Sequence, residues 1–154
     1  MNKRSIVILP VLLFVFAYLL AAGCLTQGNT GESAGNRSLS SVDKVEVYHF
    51  HATRQCYSCI VLGEYAEETV KTYFGPELAS GKLVFGHINV DLPENRAIVE
   101  KYGPTGSSLW IGVTNRGEFS KEENIRVWYK IGNKEEYMDY LKGVIEKRLA
   151  GDLS

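Results

Sequence analysis

Two cysteines two residues apart, Cys56 and Cys59, stand between a strand-forming segment and a helix-forming segment. Residues 44–50 alternate and are rich in Val, Tyr and Phe, which predicts a β-strand. Residues 56–74 carry apolar side chains at helical spacing and are followed by a Gly-Pro pair, which predicts an α-helix. The first turn of a helix has unpaired backbone N–H groups and a partial positive charge, and both stabilise a thiolate. This pattern therefore predicts a redox-active pair in which Cys56 is the nucleophile.

Cys59 is predicted to resolve the mixed disulfide that Cys56 forms. Residues three apart face the same side of a helix, so Cys59 lies within disulfide reach of Cys56. Arg54 would lower the pKa of the Cys56 thiol if its guanidinium lies nearby. The alternatives are an inert cysteine pair and a solvated loop arginine.

The N-terminus predicts export from the cytoplasm. Lys3 and Arg4 precede an apolar run over residues 6–22, and the segment Ala21-Ala22-Gly23-Cys24 resembles a prokaryotic lipoprotein signal. We expect residues 1–23 to be removed and Cys24 to be lipidated. The alternative is an uncleaved membrane helix whose basic residues stay in the cytoplasm. Either arrangement tethers the rest of the chain to the cell membrane, facing outside the cytoplasm, in the periplasm or at the cell surface.

The remaining composition is that of a linker and one small domain. The chain has three cysteines, and assigning Cys24 to lipidation leaves Cys56 and Cys59 as a pair. Residues 24–41 are dominated by Gly, Ser, Asn and Thr, which predicts a flexible linker. Residues 42–150 are long enough for one domain with one core. A net charge of −1 without a later Lys/Arg cluster argues against nucleic-acid binding.

Strand-like and helix-like segments alternate through this domain. After the first strand and helix we expect a buried strand at residues 83–90, a helix at 94–102 starting near Asp91, strands at 109–114 and 125–131, and an amphipathic helix at 134–149. A turn at Asn115-Arg116-Gly117 and a short polar segment would join the last two strands. This order predicts an α/β fold with helices on both faces of a central sheet.

The domain resembles thioredoxin-like proteins over residues 42–150. The segment KLVFGHINVD (residues 82–91) is similar to the central strand of that superfamily, and KYGPTG (residues 101–106) is similar to its KYGxxG segment. Within the superfamily, YHFH (residues 48–51) and SSL (residues 107–109) resemble small lipoproteins named as a subunit of a nitrophenyl-compound nitroreductase. The resemblance implies a mixed sheet and thiol–disulfide chemistry.

Two departures from the superfamily lie at the site. Its cis-proline position falls near Ser108, where we expect a trans peptide bond, because a non-proline cis bond costs about 2.5–4 kcal/mol. The resemblance implies a substrate groove at Tyr57, Ser58, Ser107 and Ser108. Where the superfamily has a buried carboxylate, this sequence has Phe50.

Histidines offer two further hypotheses. His87 falls on the position of the superfamily's lysine and could relay protons; the alternative is a hydrogen-bonded core histidine. His49 and His51 share one face of the first strand. His51 could join Cys56 and Cys59 in binding Cu(I) or Zn(II), the alternative being ordinary histidines on a half-buried strand.

The sequence predicts a membrane-tethered thiol–disulfide oxidoreductase, or a thiol-relay subunit of a larger reductase. Its partners would be protein thiols or disulfides and, as a relay, a reductase subunit. No nucleotide-binding loop is evident, so neither NAD nor flavin is implied, and we expect no cofactor. The alternatives are a metal-binding or metal-delivery module and a non-catalytic interaction domain.

Overall fold

A mixed sheet of four strands organises the part of the chain that the structure, a computed structural model, describes: residues 42–154. The strands are β1 Lys44–His51, β2 Leu83–Asn89, β3 Ser108–Asn115 and β4 Glu118–Glu123. They lie in the order β2-β1-β3-β4. β1 runs parallel to β2 and antiparallel to β3, and β3 runs antiparallel to β4.

Helices cover both faces of this sheet. The α-helices of the described residues are α1 Tyr57–Tyr73, α2 Gly75–Ala79, α3 Arg96–Tyr102 and α4 Lys134–Leu149, and 3₁₀-helices span Pro93–Asn95 and Ile125–Tyr129. α1 and α4 share one core with the sheet, and the Tyr137 hydroxyl of α4 donates to the Leu62 carbonyl of α1 at 2.8 Å. On the other face Tyr102 of α3 packs against Tyr48. The predicted α/β fold, a mixed central sheet with helices on both faces, is confirmed.

Strand β1 is central, and its two rows of side chains belong to different cores. Val45 and Val47 are fully buried in the core shared with α1 and α4. Tyr48 and Phe50 belong to the second core on the α3 side. Because successive side chains of a strand point to opposite faces, His49 continues the row of Val45 and Val47. It therefore faces α1, the helix that carries the cysteines.

The prediction of a strand at residues 125–131 is wrong. The chain turns at Arg116 and Gly117, whose φ angles are 53° and 81°, and pairs again at once as β4. Positive φ at both central residues characterises the two-residue hairpin turn that matches strand twist. Such a turn fixes the register between β3 and the residues that follow it, so the polar segment Glu118–Glu123 forms the strand that pairs with β3. It can be polar because it is an edge strand with mostly exposed side chains.

The apolar residues that follow β4 form a 3₁₀-helix instead. Val127 is fully buried, whereas Ile125 and Tyr129 are 56% and 85% exposed. A half-buried strand would place all three side chains on the same face. The alternating pattern was thus a poor guide here, because Val127 is buried in the core while Ile125 and Tyr129 on either side of it are exposed.

Two other predictions shift in detail. β2 is an edge strand of the described sheet and not a buried one: Leu83 is buried, while the rest of the strand is partly or fully exposed. The helix predicted at residues 94–102 begins as the 3₁₀-turn Pro93–Asn95 and is α-helical from Arg96. The closing helix α4 has the predicted bounds, Lys134–Leu149.

A buried carboxylate on β1 ties α3 to the sheet. Glu46 is 7% exposed and accepts hydrogen bonds from Lys44 Nζ at 2.8 Å, Lys101 Nζ at 2.6 Å and the Tyr102 hydroxyl at 2.9 Å. Burial alone would raise the pKa of Glu46, but these three donors outweigh it and lower the pKa to about 2. The ionised carboxylate is therefore part of the folded structure at neutral pH.

We expect Glu46→Gln to lower the free energy of unfolding by about 1–3 kcal/mol at pH 7, because it removes the negative charge that pairs with the two lysines and replaces one of the two acceptor oxygens by a donor. The folded pKa lies below the unfolded value, so this stabilisation is complete above about pH 4.5 and is lost as the pH falls toward 2. Urea unfolding at a series of pH values measures both effects.

The matched control for this prediction is Glu136→Gln, which removes an exposed carboxylate paired with Lys130. We expect the control to change the free energy of unfolding by no more than about 0.5–1 kcal/mol. A wild type and Glu46 variant that lose stability in parallel from about pH 5 to 3 would contradict the assignment.

Candidate functional site

A disulfide between Cys56 and Cys59 lies at the start of α1, with 5.1 Å between their Cα atoms. Cys56 has extended backbone angles and caps the helix, and its Sγ accepts the backbone N–H of Cys59 at 3.1 Å. This N–H is one of those that a helix start leaves unpaired. In the reduced protein the same N–H and the positive end of a 17-residue helix stabilise a thiolate at Cys56.

The two sulfurs differ in access from solvent. Cys56 is exposed, and Cys59 is half-buried in the first turn of α1. Tyr57 between them is 82% exposed, whereas Ser58 is half-buried. The sulfur predicted to attack is therefore the accessible one, and the sulfur predicted to resolve lies behind it.

The segment before the disulfide is tied to the end of β2. The Thr53 backbone N–H donates to Asp91 Oδ2 at 2.8 Å, and Asn89 Nδ2 donates to the Thr53 hydroxyl at 3.1 Å. Asp91, which the sequence suggested as a helix start, thus holds the loop that leads to the cysteines. Arg54 lies in this loop and is exposed.

Ser107 and Ser108, the predicted groove residues before and at the start of β3, have different surroundings. Ser108 is 2% exposed; its hydroxyl donates to the Gly106 carbonyl and accepts from Trp110 Nε1. Ser107 is half-buried, with its Oγ 3.5 Å from Nε2 of His49. The described residues contain no cis peptide bond, so the bond at Ser108 is trans.

His49 is the site residue that sequence reasoning undervalued. It is 1% exposed, and its Nδ1 lies 3.0 Å from Nδ1 of His87. A Cβ on Gly63 would come within 2.6 Å of its Cε1, so the imidazole packs directly on the backbone of α1 one turn after Cys59. The available signal was the row of Val45 and Val47, which His49 extends toward the cysteine-bearing helix.

The other two histidines complete a cluster at this end of the sheet. The His51 ring stacks on that of His49 with centroids 5.2 Å apart, which agrees with the prediction that they share a face. His87, on the neighbouring strand, is partly exposed, and its Nε2 lies 3.5 Å from Glu67 Oε2 of α1. The structure thus brings His87, which the sequence singled out, together with His49, which it did not.

The burial of His49 sets its protonation. Burial first, and then the nearby His87 and His51, lower the pKa of His49 from 6.5 to about 3, against the opposing effect of the Cys59 backbone. The unfolded chain takes up a proton at this histidine below about pH 6.5 while the folded protein does not. His49 therefore favours unfolding increasingly as the pH falls through that range.

Other sites receive less support from the described part of the chain. Within residues 42–154 no group of three or more His, Cys, Asp or Glu side chains is arranged to hold a metal ion, so the alternative set of Cys56, Cys59 and His51 is not assembled in this oxidised form. A cleft of about 660 Å³ lies between the end of β4 and α4, and none of the predicted site residues line it.

The predicted signal, Cys24 and most of the linker lie outside the described residues. Among residues 42–154, no helix combines the length and the hydropathy that crossing a bilayer requires.

Comparison with known proteins leaves the family open. No protein-family model matches the chain, and no curated protein matches it. Among solved structures, the zinc-bound form of human ERp44 is similar to this chain, with 20% sequence identity and a TM-score of 0.45. The similarity covers 72% of this chain and 28% of that one, so the chain spans little more than a quarter of its length.

We expect Gly63→Ala to destabilise the protein by about 1–3 kcal/mol, because the added methyl group would overlap the buried His49 ring. Gly143→Ala in α4 is the matched control, since a Cβ there meets nothing within 4 Å. It should stabilise by about 0.4–1 kcal/mol. Urea unfolding of both variants measures the difference.

If His49 causes the penalty, the Gly63→Ala change should cost less in a His49→Ala background than in the wild type. Equal stability of the Gly63 and Gly143 variants would show that the close packing of His49 on α1 is wrong.

Proposed function

We propose that this protein is a thiol–disulfide oxidoreductase that acts through Cys56 and Cys59. The observation that carries the proposal is the position of Cys56: the residue is exposed and caps a long helix, and its sulfur already accepts a backbone N–H. A thiolate in that place is stabilised while remaining open to a substrate. The half-buried Cys59, bonded to it, is placed to act second.

The reaction has two displacement steps. The Cys56 thiolate attacks one sulfur of a substrate disulfide, forms a mixed disulfide and releases the other substrate sulfur as a thiolate. Cys59 then loses its proton and attacks Cys56 Sγ, which releases the second substrate thiolate and leaves the Cys56–Cys59 disulfide. Two electrons pass from the dithiol to the substrate. A protein dithiol restores the reduced form, and the reverse sequence oxidises substrate thiols.

The surroundings of the disulfide suggest how a protein partner is bound. The exposed Tyr57 ring offers a partner an apolar contact next to Cys56, and Arg54 is an exposed cation in the loop that leads to α1. Ser58 lies between the two cysteines in the sequence, and the Ser107 hydroxyl lies 3.5 Å from Nε2 of the buried His49. In this proposal electrons travel through protein thiols, with no nucleotide cofactor.

We propose that the protein acts on the outer side of the cell membrane. A lipid on Cys24 and the linker that follows would tether the domain there, where it would serve as a free oxidoreductase or as the thiol-relay subunit of a larger reductase. The support is the order of basic residues, apolar run and Ala-Ala-Gly-Cys segment at the N-terminus.

Trapping variants test the assigned roles. We expect Cys59→Ser to accumulate mixed disulfides with partner proteins, because nothing resolves the adduct on Cys56, and Cys56→Ser to accumulate none. Non-reducing electrophoresis of material quenched with acid detects the adducts. Every sample carries Cys24→Ser, so that the third cysteine cannot contribute. Adducts on the Cys56 variant alone would reverse the two roles, and adducts on neither would contradict exchange.

Intact-mass measurement of membrane-extracted wild-type protein tests the tether. We expect loss of residues 1–23 and a diacylglycerol-sized increase in mass on Cys24, and conversion of Cys24 to Ser should abolish both. An unprocessed chain that begins at Met1 would rule out the lipoprotein assignment without affecting the thiol chemistry.

A further inference from the structure

The two edges of the described sheet differ in their protection against pairing with another chain. The edge strand β4 carries charged side chains at four of its six positions: Glu118, Lys121, Glu122 and Glu123. Charges on an edge strand oppose the addition of a further strand. The opposite edge strand, β2, has the sequence LVFGHIN and contains no Asp, Glu, Lys, Arg or Pro. β2 is therefore the edge to which another strand can add.

The backbone of β2 is oriented to accept such a strand. The Val90 N–H, directly after β2, donates to the His51 carbonyl of β1 at 2.8 Å, so the even-numbered residues here turn their backbone groups toward β1. Alternate residues of a strand turn these groups to opposite sides. The N–H and C=O groups of Phe85 and His87 therefore point away from β1. Within residues 42–154 no strand pairs with that side of β2.

We propose that β2 pairs with β2 of a second copy of this chain, so that two four-stranded sheets join into one. Strands related by a two-fold axis normal to the sheet run antiparallel. The register that uses the whole strand is centred on Gly86. In it, Phe85 of each copy forms a hydrogen-bonded pair with His87 of the other. This inference does not depend on the proposed chemistry of the cysteines.

The side chains that this register places opposite one another are compatible. On the α3 face, Val84 comes opposite Ile88 of the second copy, and both are partly buried apolar residues of the second core. On the α1 face, Phe85 comes opposite His87, and these two rings already pack edge to face within one chain with centroids 5.1 Å apart. Aromatic and β-branched pairs of this kind stabilise antiparallel strands. The edge thus complements itself.

Charges beside β2 also complement one another across the two-fold axis. On α1, Lys71 Nζ lies 2.6 Å from Glu67 Oε1, and Glu67 Oε2 lies 3.5 Å from Nε2 of His87. α1 connects the parallel strands β1 and β2 and runs opposite to them, so Lys71, about 6 Å further along the helix, lies at the level of Phe85. The axis brings the level of Phe85 in one copy to that of His87 in the other. Glu67 would therefore face Lys71 of the second copy.

The pairing would leave both disulfides open to substrates. Cys56 and Cys59 follow the carboxyl end of β1, which lies beside the carboxyl end of the parallel strand β2. In an antiparallel pair of β2 strands, these ends lie at opposite sides of the joined sheet. The two cysteine pairs would thus be well separated, and neither would be covered by the other copy.

Sedimentation velocity measures the oligomeric state of the full-length protein in detergent over a series of concentrations. A thiol reductant is present, so that no dimer can be disulfide-linked. We expect a monomer–dimer equilibrium with a Kd in the micromolar range, because pairing along one strand buries a small interface. A protein that stays monomeric up to about 200 μM would overturn the proposal and leave this edge to a strand from elsewhere.

His87→Pro and His87→Ala form a matched pair of variants. Both remove the imidazole that contacts His49, but only proline removes the outward N–H, which the pairing with β1 does not use. Proline is tolerated in edge strands where the N–H faces solvent. We expect His87→Pro to raise the Kd of the dimer at least ~10-fold relative to His87→Ala. Equal Kd values for the two variants, both shown to be folded by urea unfolding, would overturn the proposal.

The exposed ion pair on α1 gives a second test that leaves the backbone unchanged. Lys71→Glu should raise the Kd at least ~3-fold at low salt, because it places like charges opposite one another. The double variant Glu67→Lys/Lys71→Glu should recover most of this loss, since each charge again faces its opposite. A single variant that dimerises like the wild type, or a double variant that recovers nothing, would contradict pairing in the register centred on Gly86.

Discussion

The alternation of side chains along the central strand β1 decides what can reach the disulfide. β1 is hydrogen-bonded to β2 on one side and β3 on the other, so its register is fixed and a slip by one residue would exchange its two faces. The row that begins with Val45 and Val47 faces α1 and ends in His49. The opposite row contains Glu46, which secures α3 through Lys101 and Tyr102. The same strand thus contributes two valines to the core, a carboxylate that binds α3 and a histidine that packs on α1.

This alternation also gives Phe50 and His49 different surroundings. Counting back from the cysteines assigns the superfamily's carboxylate to Phe50, which lies on the α3 face, in a cluster with Tyr48 and Tyr102. A side chain at that position points away from α1. His49, one residue earlier, lies on the face that packs against α1. The number of residues between strand and cysteine varies with the loop, whereas the pleat of the strand does not.

Much of the fold could be predicted because each signal was local and repeated. The period of the apolar residues located α1 and α4, and the strand before the cysteines was rich in alternating Val, Tyr and Phe. β4 was missed because an edge strand needs no buried face. Its sequence, Glu-Phe-Ser-Lys-Glu-Glu, has no pattern typical of a strand, and the segment pairs as one because the Arg116-Gly117 turn sets its register against β3. The cysteine pair could be found from spacing alone. The contact of His49 with His87 joins two strands 38 residues apart, so it depends on a register that no local pattern contains.

The buried imidazole of His49 makes the stability of the domain depend on pH. His49 stays neutral in the folded protein because burial and two neighbouring histidines lower its pKa, and that same effect favours unfolding below about pH 6.5. Glu46 adds its own loss of stability at lower pH, on the opposite face of the same strand. Above pH 6.5 neither group penalises folding. These two groups therefore favour the folded state most above pH 6.5, which is also the range in which a larger fraction of Cys56 is ionised.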